Sequence, residues 1–147
     1  MAMLPRLVLG VCASLLVSAV ALAQHGAVVH VPADKAAEIM QKGGQVAAAP
    51  DATVSFNRRN GPGMSEIHEK ETDTFYVLEG DAIFVTGGTM VGGKSTGPGQ
   101  LRGTGIDGGQ TVQLKKGDVV IVPAGTPHWF KEVPKSVVYY TVKAIRP

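Results

Sequence analysis

The sequence predicts an all-β protein, an antiparallel barrel or sandwich preceded by one short helix. Beyond Pro50, short runs rich in Val, Ile, Thr, Phe and Tyr alternate with a period of two. The chain also has 19 Gly and 9 Pro, residue types that mark turns between short strands. Its 147 residues suffice for one domain and are too few for two that each bury a full core.

An amphipathic pattern predicts one helix over Asp34–Lys42. Ala36, Ile39 and Met40 recur at the spacing of a single helical face. The aspartate that begins this range is placed to cap the helix, and Gly43 with the next glycine is placed to end it.

Eight strands are predicted after the helix, with a turn at Glu79-Gly80-Asp81 between the third and the fourth. Their ranges are 53–59, 64–68, 74–78, 82–86, 111–114, 119–122, 128–131 and 137–143. Between residues 87 and 109, ten of 23 residues are glycine, which predicts either a mobile flap beside a pocket or a surface hairpin.

Residues 1–23 have the pattern of a secretory signal peptide. A basic front containing Arg6 precedes an apolar run that ends in Ala21-Leu22-Ala23, an A-x-A cleavage site. The alternative is a retained membrane anchor, because the run approaches the roughly 20 residues that span a bilayer. Cleavage would leave residues 24–147 as one domain, periplasmic or secreted and free of the membrane.

Composition excludes several classes of function. The 14 basic and 12 acidic residues give a net charge of +2, and no basic stripe stands out, so we expect no nucleic-acid partner. The one cysteine, Cys12, lies in the predicted leader. The mature domain therefore has neither a disulfide framework nor a thiol nucleophile.

Two stretches place histidines among other side chains that bind metals. In the first, Glu66 and His68 share one face of a predicted strand, and Asp73 opens the next strand. In the second, a buried apolar strand and a Pro/Gly turn lead to His128 at the start of another strand. The remaining acidic residues of the first stretch, Glu69 and Glu71, are expected on the solvated side of the turn.

The two stretches resemble the paired motifs of the cupin superfamily. The first motif has His-x-His, three or four residues, an acidic residue, six residues and a glycine. Glu66 stands at the first His position, His68 at the second, Asp73 at the acidic position and Gly80 at the glycine. The second motif, Gly-x5-Pro-x-Gly-x2-His, is matched at every interval by Gly117, Pro123, Gly125 and His128.

The resemblance implies a small antiparallel jelly-roll β-barrel with a metal inside, in a class of domains that frequently form homodimers. Carried over residue by residue, the metal ligands are Glu66, His68, Asp73 and His128. Two imidazoles and two carboxylates suit Mn, Fe, Ni, Co or Zn better than copper(I), which prefers sulfur. The alternative is that Glu66 points to solvent or pairs with Arg58, leaving three ligands or none.

Aromatic residues near this set are assigned mainly to the core, with a cavity wall as the alternative: Phe75, Phe130 and one of Tyr139 or Tyr140. Trp129 is expected to face away from His128, because side chains alternate along a strand. His25 and His30 are expected to be solvated surface residues.

We therefore expect an exported cupin that binds or acts on a small molecule at an interior metal. Dioxygenase, isomerase and lyase activities all occur on cupins, and the fold does not choose among them. The alternative is a noncatalytic small-molecule-binding or structural cupin of the cell envelope.

The leader assignment predicts the N-terminus of the exported protein. N-terminal sequencing is expected to find Gln24 first, because small residues at positions 21 and 23 direct cleavage after Ala23. Exported protein that still begins at Met1 would overturn the assignment.

Overall fold

The computed structural model of the protein describes residues 26–146; the predicted leader and His25 lie outside this range. The described residues form one helix and twelve strands. They are α1 (Ala33–Lys42), β1 (Gly44–Ala49), β2 (Ala52–Arg59), β3 (Ser65–His68), β4 (Glu71–Thr86), β5 (Thr89–Val91), β6 (Lys94–Gly97), β7 (Gln100–Gly103), β8 (Gly105–Asp107), β9 (Gln110–Lys115), β10 (Val119–Val122), β11 (His128–Glu132) and β12 (Val137–Ile145). No helix within residues 26–146 has the length and apolar character needed to cross a bilayer. The prediction of an all-β fold with one short helix is confirmed.

Strand β4 organises the architecture because it belongs to both halves of a curled antiparallel sheet. Its first part pairs with β12 and β10, and its last six residues pair with β9 and β11. The main sheet continues in the order β1-β2-β12-β4-β11-β3-β7-β6. The curled sheet is a half-barrel of the jelly-roll type, and its concave inner face holds the core.

The core occupies one end of the barrel and leaves the other end for polar residues. Phe75 and Val77 point inward from the first part of β4, and Phe84 points inward from the last part, all at most 4% exposed. Phe84 packs edge-on against Phe75 and Phe130, with ring centroids 5.9 and 5.0 Å away. Alternation along β4 places Asp73 on this inner face, two residues before Phe75.

The turn predicted at Glu79-Gly80-Asp81 is wrong, because β4 continues through it. Gly80 has φ 76°, and a Cβ atom there would collide with the carbonyl oxygen of Ser136. Glycine lets the strand bend here from one half of the sheet to the other while its pairing continues on both sides. The two strands predicted over 74–78 and 82–86 are therefore one.

The glycine-rich segment forms a hairpin, one of the two alternatives predicted for it, and this hairpin joins the main sheet through β7. It forms β5 to β8, in which β5 pairs with β8 and β7 pairs with both β6 and β3. Gly103 is buried, and a Cβ atom there would lie 2.6 Å from Met90 Cγ and 2.7 Å from Ser65 Oγ. Glycine allows this close packing and places β7 beside a strand that carries site residues.

Two smaller differences concern the N-terminal part of the described chain. The predicted cap at Asp34 is wrong: Pro32 occupies the N-cap position without a side-chain capping bond, and Asp34 lies in the first turn. Gly43 ends the helix as predicted, and its N–H donates to the Ile39 carbonyl oxygen. The structure also adds β1, which the alanine-rich sequence does not predict because alanine has low strand propensity.

Substitution of Gly80 tests the bend in β4. The Gly80→Ala variant is expected to lose stability both through a left-handed backbone and through the clash with Ser136. In Gly117→Ala the backbone is also left-handed, with φ 92°, but nothing lies within 4 Å of the added Cβ. Urea unfolding should show a loss of about 1 kcal/mol for Gly117→Ala and about 1–3 kcal/mol more for Gly80→Ala. Equal losses would contradict the close approach.

Candidate metal centre

Strands β3, β4 and β11 bring the four predicted site residues together on the inner face of the barrel. Glu66 and His68 share one face of β3, Asp73 lies on β4, and His128 begins β11 directly opposite Glu66. His68, Asp73 and His128 are 6%, 2% and 3% exposed. Polar groups buried to this degree need partners inside the protein.

One oxygen of Glu66 and one oxygen of Asp73 each lie near the Nε2 atoms of both histidines. His68 Nε2 lies 3.3 Å from Glu66 Oε2 and 3.6 Å from Asp73 Oδ2. His128 Nε2 lies 3.9 and 3.8 Å from the same two oxygens. Neighbouring ligand atoms bound about 2.0–2.2 Å from one ion lie roughly 2.8–3.6 Å apart in octahedral and tetrahedral sites, so these four nitrogen–oxygen distances lie within or a few tenths of an ångström above that range.

Both imidazoles are held in the tautomer that a metal requires. His68 Nδ1–H donates to Gln100 Oε1, and His128 Nδ1–H donates to the Thr126 carbonyl oxygen at 3.2 Å. Because each acceptor is a carbonyl oxygen, each Nδ1 carries the hydrogen and each Nε2 keeps its lone pair. Burial lowers the pKa of His128 to about 4, which keeps its ring neutral near pH 7.

Each carboxylate divides its two oxygens between a cation and the imidazole pair. Glu66 Oε1 accepts from Arg59 Nη2 at 3.3 Å and also pairs with Arg102 Nη1. Asp73 Oδ1 accepts from Lys143 Nζ at 2.7 Å. The second oxygens, Oε2 and Oδ2, remain directed at the histidines, which is how outer partners orient metal ligands.

These contacts exclude the alternative in which Glu66 points to solvent or pairs with Arg58. The side chain faces inward and is 13% exposed, whereas Arg58 is exposed on the opposite face of β2. Glu66 therefore neither points to solvent nor pairs with Arg58, and its neighbours Arg59 and Arg102 neutralise it instead.

The expectation that Glu71 lies on the solvated side of the turn is wrong, whereas Glu69 is exposed as expected. Glu71 Oε2 lies 3.7 Å from His68 Nδ1 and 2.8 Å from Lys143 Nζ. Burial raises the pKa of Glu71, but the hydrogen bond and charge of Lys143 outweigh this effect and leave the pKa below its usual value. Within residues 26–146, ligand atoms of Glu66, His68 and His128 form one group close enough to hold an ion, and those of His68, Glu71 and Asp73 form a second, so the two groups share His68.

Sequence reasoning missed the side chains that hold these ligands. Gln100 and Arg102 lie on β7, directly opposite His68 and Glu66 in the strand register, and Lys143 on β12 lies opposite Asp73. The spacing of two between Gln100 and Arg102 is the one local signal that they share a face. The glycines around them did not predict a strand, because glycine has low strand propensity.

A cavity of about 210 Å³ opens onto the four residues. Its aromatic wall consists of Phe75, Phe130 and Tyr139, and its other lining residues outside the four are Ser55, Asn57, Arg59, Arg102, Thr141 and Lys143. Tyr139, and not Tyr140, therefore takes the predicted position at the cavity. Burial raises the pKa of Tyr139, and its hydroxyl accepts a hydrogen bond from Arg59 Nε at 2.9 Å.

Trp129 lies on the opposite side of β11 from His128, as expected. Its Nε1–H donates to the Gly63 carbonyl oxygen at 2.7 Å. Its ring packs beneath Gly105 of β8, where an added Cβ atom would lie 3.5 Å away.

Comparison with known proteins agrees with this architecture. The model of the cupin family matches residues 51–144, which is more than half of the chain. The protein therefore belongs to the cupin family. No curated protein matches its sequence.

Solved structures show the same fold at low sequence identity. The cupin domain of Schizosaccharomyces pombe Cnp3 has a TM-score of 0.52 and 15% identity, with 70% of this chain and 63% of that chain covered. The TT1209 protein from Thermus thermophilus has a TM-score of 0.50 and 18% identity, with 73% and 87% covered. Streptomyces PAC13, solved with uridine, has a TM-score of 0.49 and 15% identity, with 69% and 65% covered. At these identities the likeness to the first two structures concerns the fold alone.

Removal of Lys143 tests its pairing with the buried carboxylate. Without added metal, Lys143→Met is expected to cost about 2–3 kcal/mol, less than a fully buried pair because Lys143 keeps some solvent contact. Lys35→Met, which breaks an exposed pair with Glu38 on α1, should cost less than about 0.5 kcal/mol. Chemical unfolding measures both, and similar losses would refute a structural role for the Lys143–Asp73 pair.

Proposed function

We propose that this protein is an exported cupin that holds one divalent transition metal, Mn, Fe, Ni, Co or Zn, and binds a small molecule on it. The ligands are Glu66, His68, Asp73 and His128. The observation that carries the proposal is that the Nε2 atoms of His68 and His128 each lie 3.3–3.9 Å from one oxygen of Glu66 and one oxygen of Asp73. The predicted leader, residues 1–23, supports export.

The bound ion would supply a Lewis acid that binds and polarises an oxygen of the small molecule. Mn, Fe, Co and Ni accept more than four ligands, so four protein atoms leave open positions. The protein contributes the orientation of its ligands: Gln100 and Thr126 fix the imidazoles, and Lys143 fixes Asp73.

The cavity limits what reaches this position. Its volume of about 210 Å³ lies below the roughly 300–1,000 Å³ of pockets for drug-sized ligands, so the molecule is small. Phe75 and Phe130 form an apolar wall that displaces water beside the polar end. The small molecule therefore meets both an oxygen-binding ion and a surface that packs against carbon.

Metal content tests the proposal directly. Protein purified without a His-tag is expected to contain about one transition-metal ion per chain. His68→Ala and His128→Ala should each reduce the content at least tenfold, because each removes a ligand. His30→Ala is the matched control, since His30 is exposed, and it should keep the wild-type content by elemental analysis.

Thermal unfolding gives an independent readout. An ion bound only by the folded state adds to stability, so chelation should lower the melting temperature of the wild type and leave that of His68→Ala unchanged. Trace metal in repeated wild-type preparations, or an unchanged transition after verified metal removal, would contradict the proposal. Turnover of a bound small molecule, lost in His68→Ala with the fold retained, would assign an enzyme; binding without turnover would assign a receptor.

A further inference from the structure

We propose that Arg59 and Arg102 form a carboxylate-binding subsite beside the metal, so that the small molecule is a carboxylate with a second oxygen that reaches the ion. A 2-hydroxy or 2-oxo carboxylate has this pattern. The inference rests on the proposed metal site and assigns the chemical class of its ligand.

The balance of charge at the site is the first argument. Glu66, Glu71 and Asp73 supply three negative charges, which the three neighbouring cations, Arg59, Arg102 and Lys143, balance. A divalent ion held by neutral imidazoles adds two positive charges without another acidic partner. Uncompensated charge in a partly enclosed cavity is costly, so the loaded site favours an anion.

The unused donors of the two guanidinium groups are the second argument. Arg59 gives Nε–H to Tyr139 and Nη2 to Glu66, and Arg102 contributes Nη1 to Glu66. An arginine has five N–H donors, and within residues 26–146 these contacts use only part of them. The planar fork of a guanidinium matches a carboxylate, and both groups already bind one, that of Glu66.

The position of the two arginines relative to the metal ligands is the third argument. Glu66 lies between the arginines and the predicted ion, since its Oε1 meets the guanidiniums and its Oε2 faces the histidines. The arginines and the ion are thus separated by about the width of one carboxylate, so a ligand bound to both needs its two oxygen groups close together. Arg59 also lies 4.8 Å over the Phe130 ring, which holds its guanidinium at the cavity wall.

The probe pair is glycolate and glycolamide, which have nearly the same shape and differ in charge at one end. The full chain is loaded with Co²⁺, and each probe is titrated while the visible absorption of the cobalt is followed. Glycolate is expected to bind at least tenfold more tightly than glycolamide. Arg102→Gln should weaken glycolate binding about tenfold or more, because it removes charge-assisted hydrogen bonds.

Arg58→Gln is the matched control, because it removes the same charge from the exposed face of β2 and should bind glycolate as the wild type does. Arg59→Gln should resemble Arg102→Gln. Arg59 also contacts Tyr139 and Phe130, so Arg102→Lys provides a second variant that spares these contacts. It keeps the positive charge but loses the planar guanidinium, and it should lose part of the affinity for glycolate.

The outcomes separate the subsite from the metal site. If cobalt binds at one ion per chain but the two probes bind equally, or Arg102→Gln matches Arg58→Gln, the subsite is wrong and the metal site stands. Tighter binding of inorganic phosphate than of glycolate would overturn the carboxylate assignment. A wild-type protein that holds no cobalt would overturn the metal site and the subsite together.

Discussion

Burial of His68, Asp73 and His128 inside the barrel is the constraint on which the rest of the site depends. Each polar group must find a partner there, because an unpaired buried group costs as much as several ordinary contacts contribute. Gln100, Lys143 and the backbone of Thr126 meet this need. Each partner binds one polar atom of its residue and leaves the other atom, Nε2 or Oδ2, directed at the neighbouring site residues.

Strand β4 connects this constraint to the stability of the fold. It presents Asp73 to the site, Phe75 to the boundary and Phe84 to the core, and its bend at Gly80 lets one strand serve both halves of the sheet. The hydrophobic core and the polar site are therefore built on the same element. Packing at one end of β4 limits movement of the carboxylate at the other.

Glu66 explains how the site departs from the motif that it resembles. At a position where the cupin motif has histidine, a carboxylate adds a negative charge, and Arg59 and Arg102 neutralise it through one of its oxygens. The same two cations line the cavity. Glutamate in place of histidine at position 66 is thus accompanied by two arginines in the cavity wall. These arginines are the groups proposed to bind a negatively charged small molecule.

The sequence by itself determined the all-β class and the helix near residues 34–42, because alternation and helical periodicity are local properties. The grouping of Glu66, His68, Asp73 and His128 was implied by the resemblance of two motifs to those of cupins. Only the tertiary structure decided the continuity of β4, the strands of the glycine-rich segment and the partners of the four residues. Those partners are cross-strand neighbours, Arg102 opposite Glu66 and Lys143 opposite Asp73. Register between strands distant along the chain follows from packing of the whole sheet, so no local pattern specifies it.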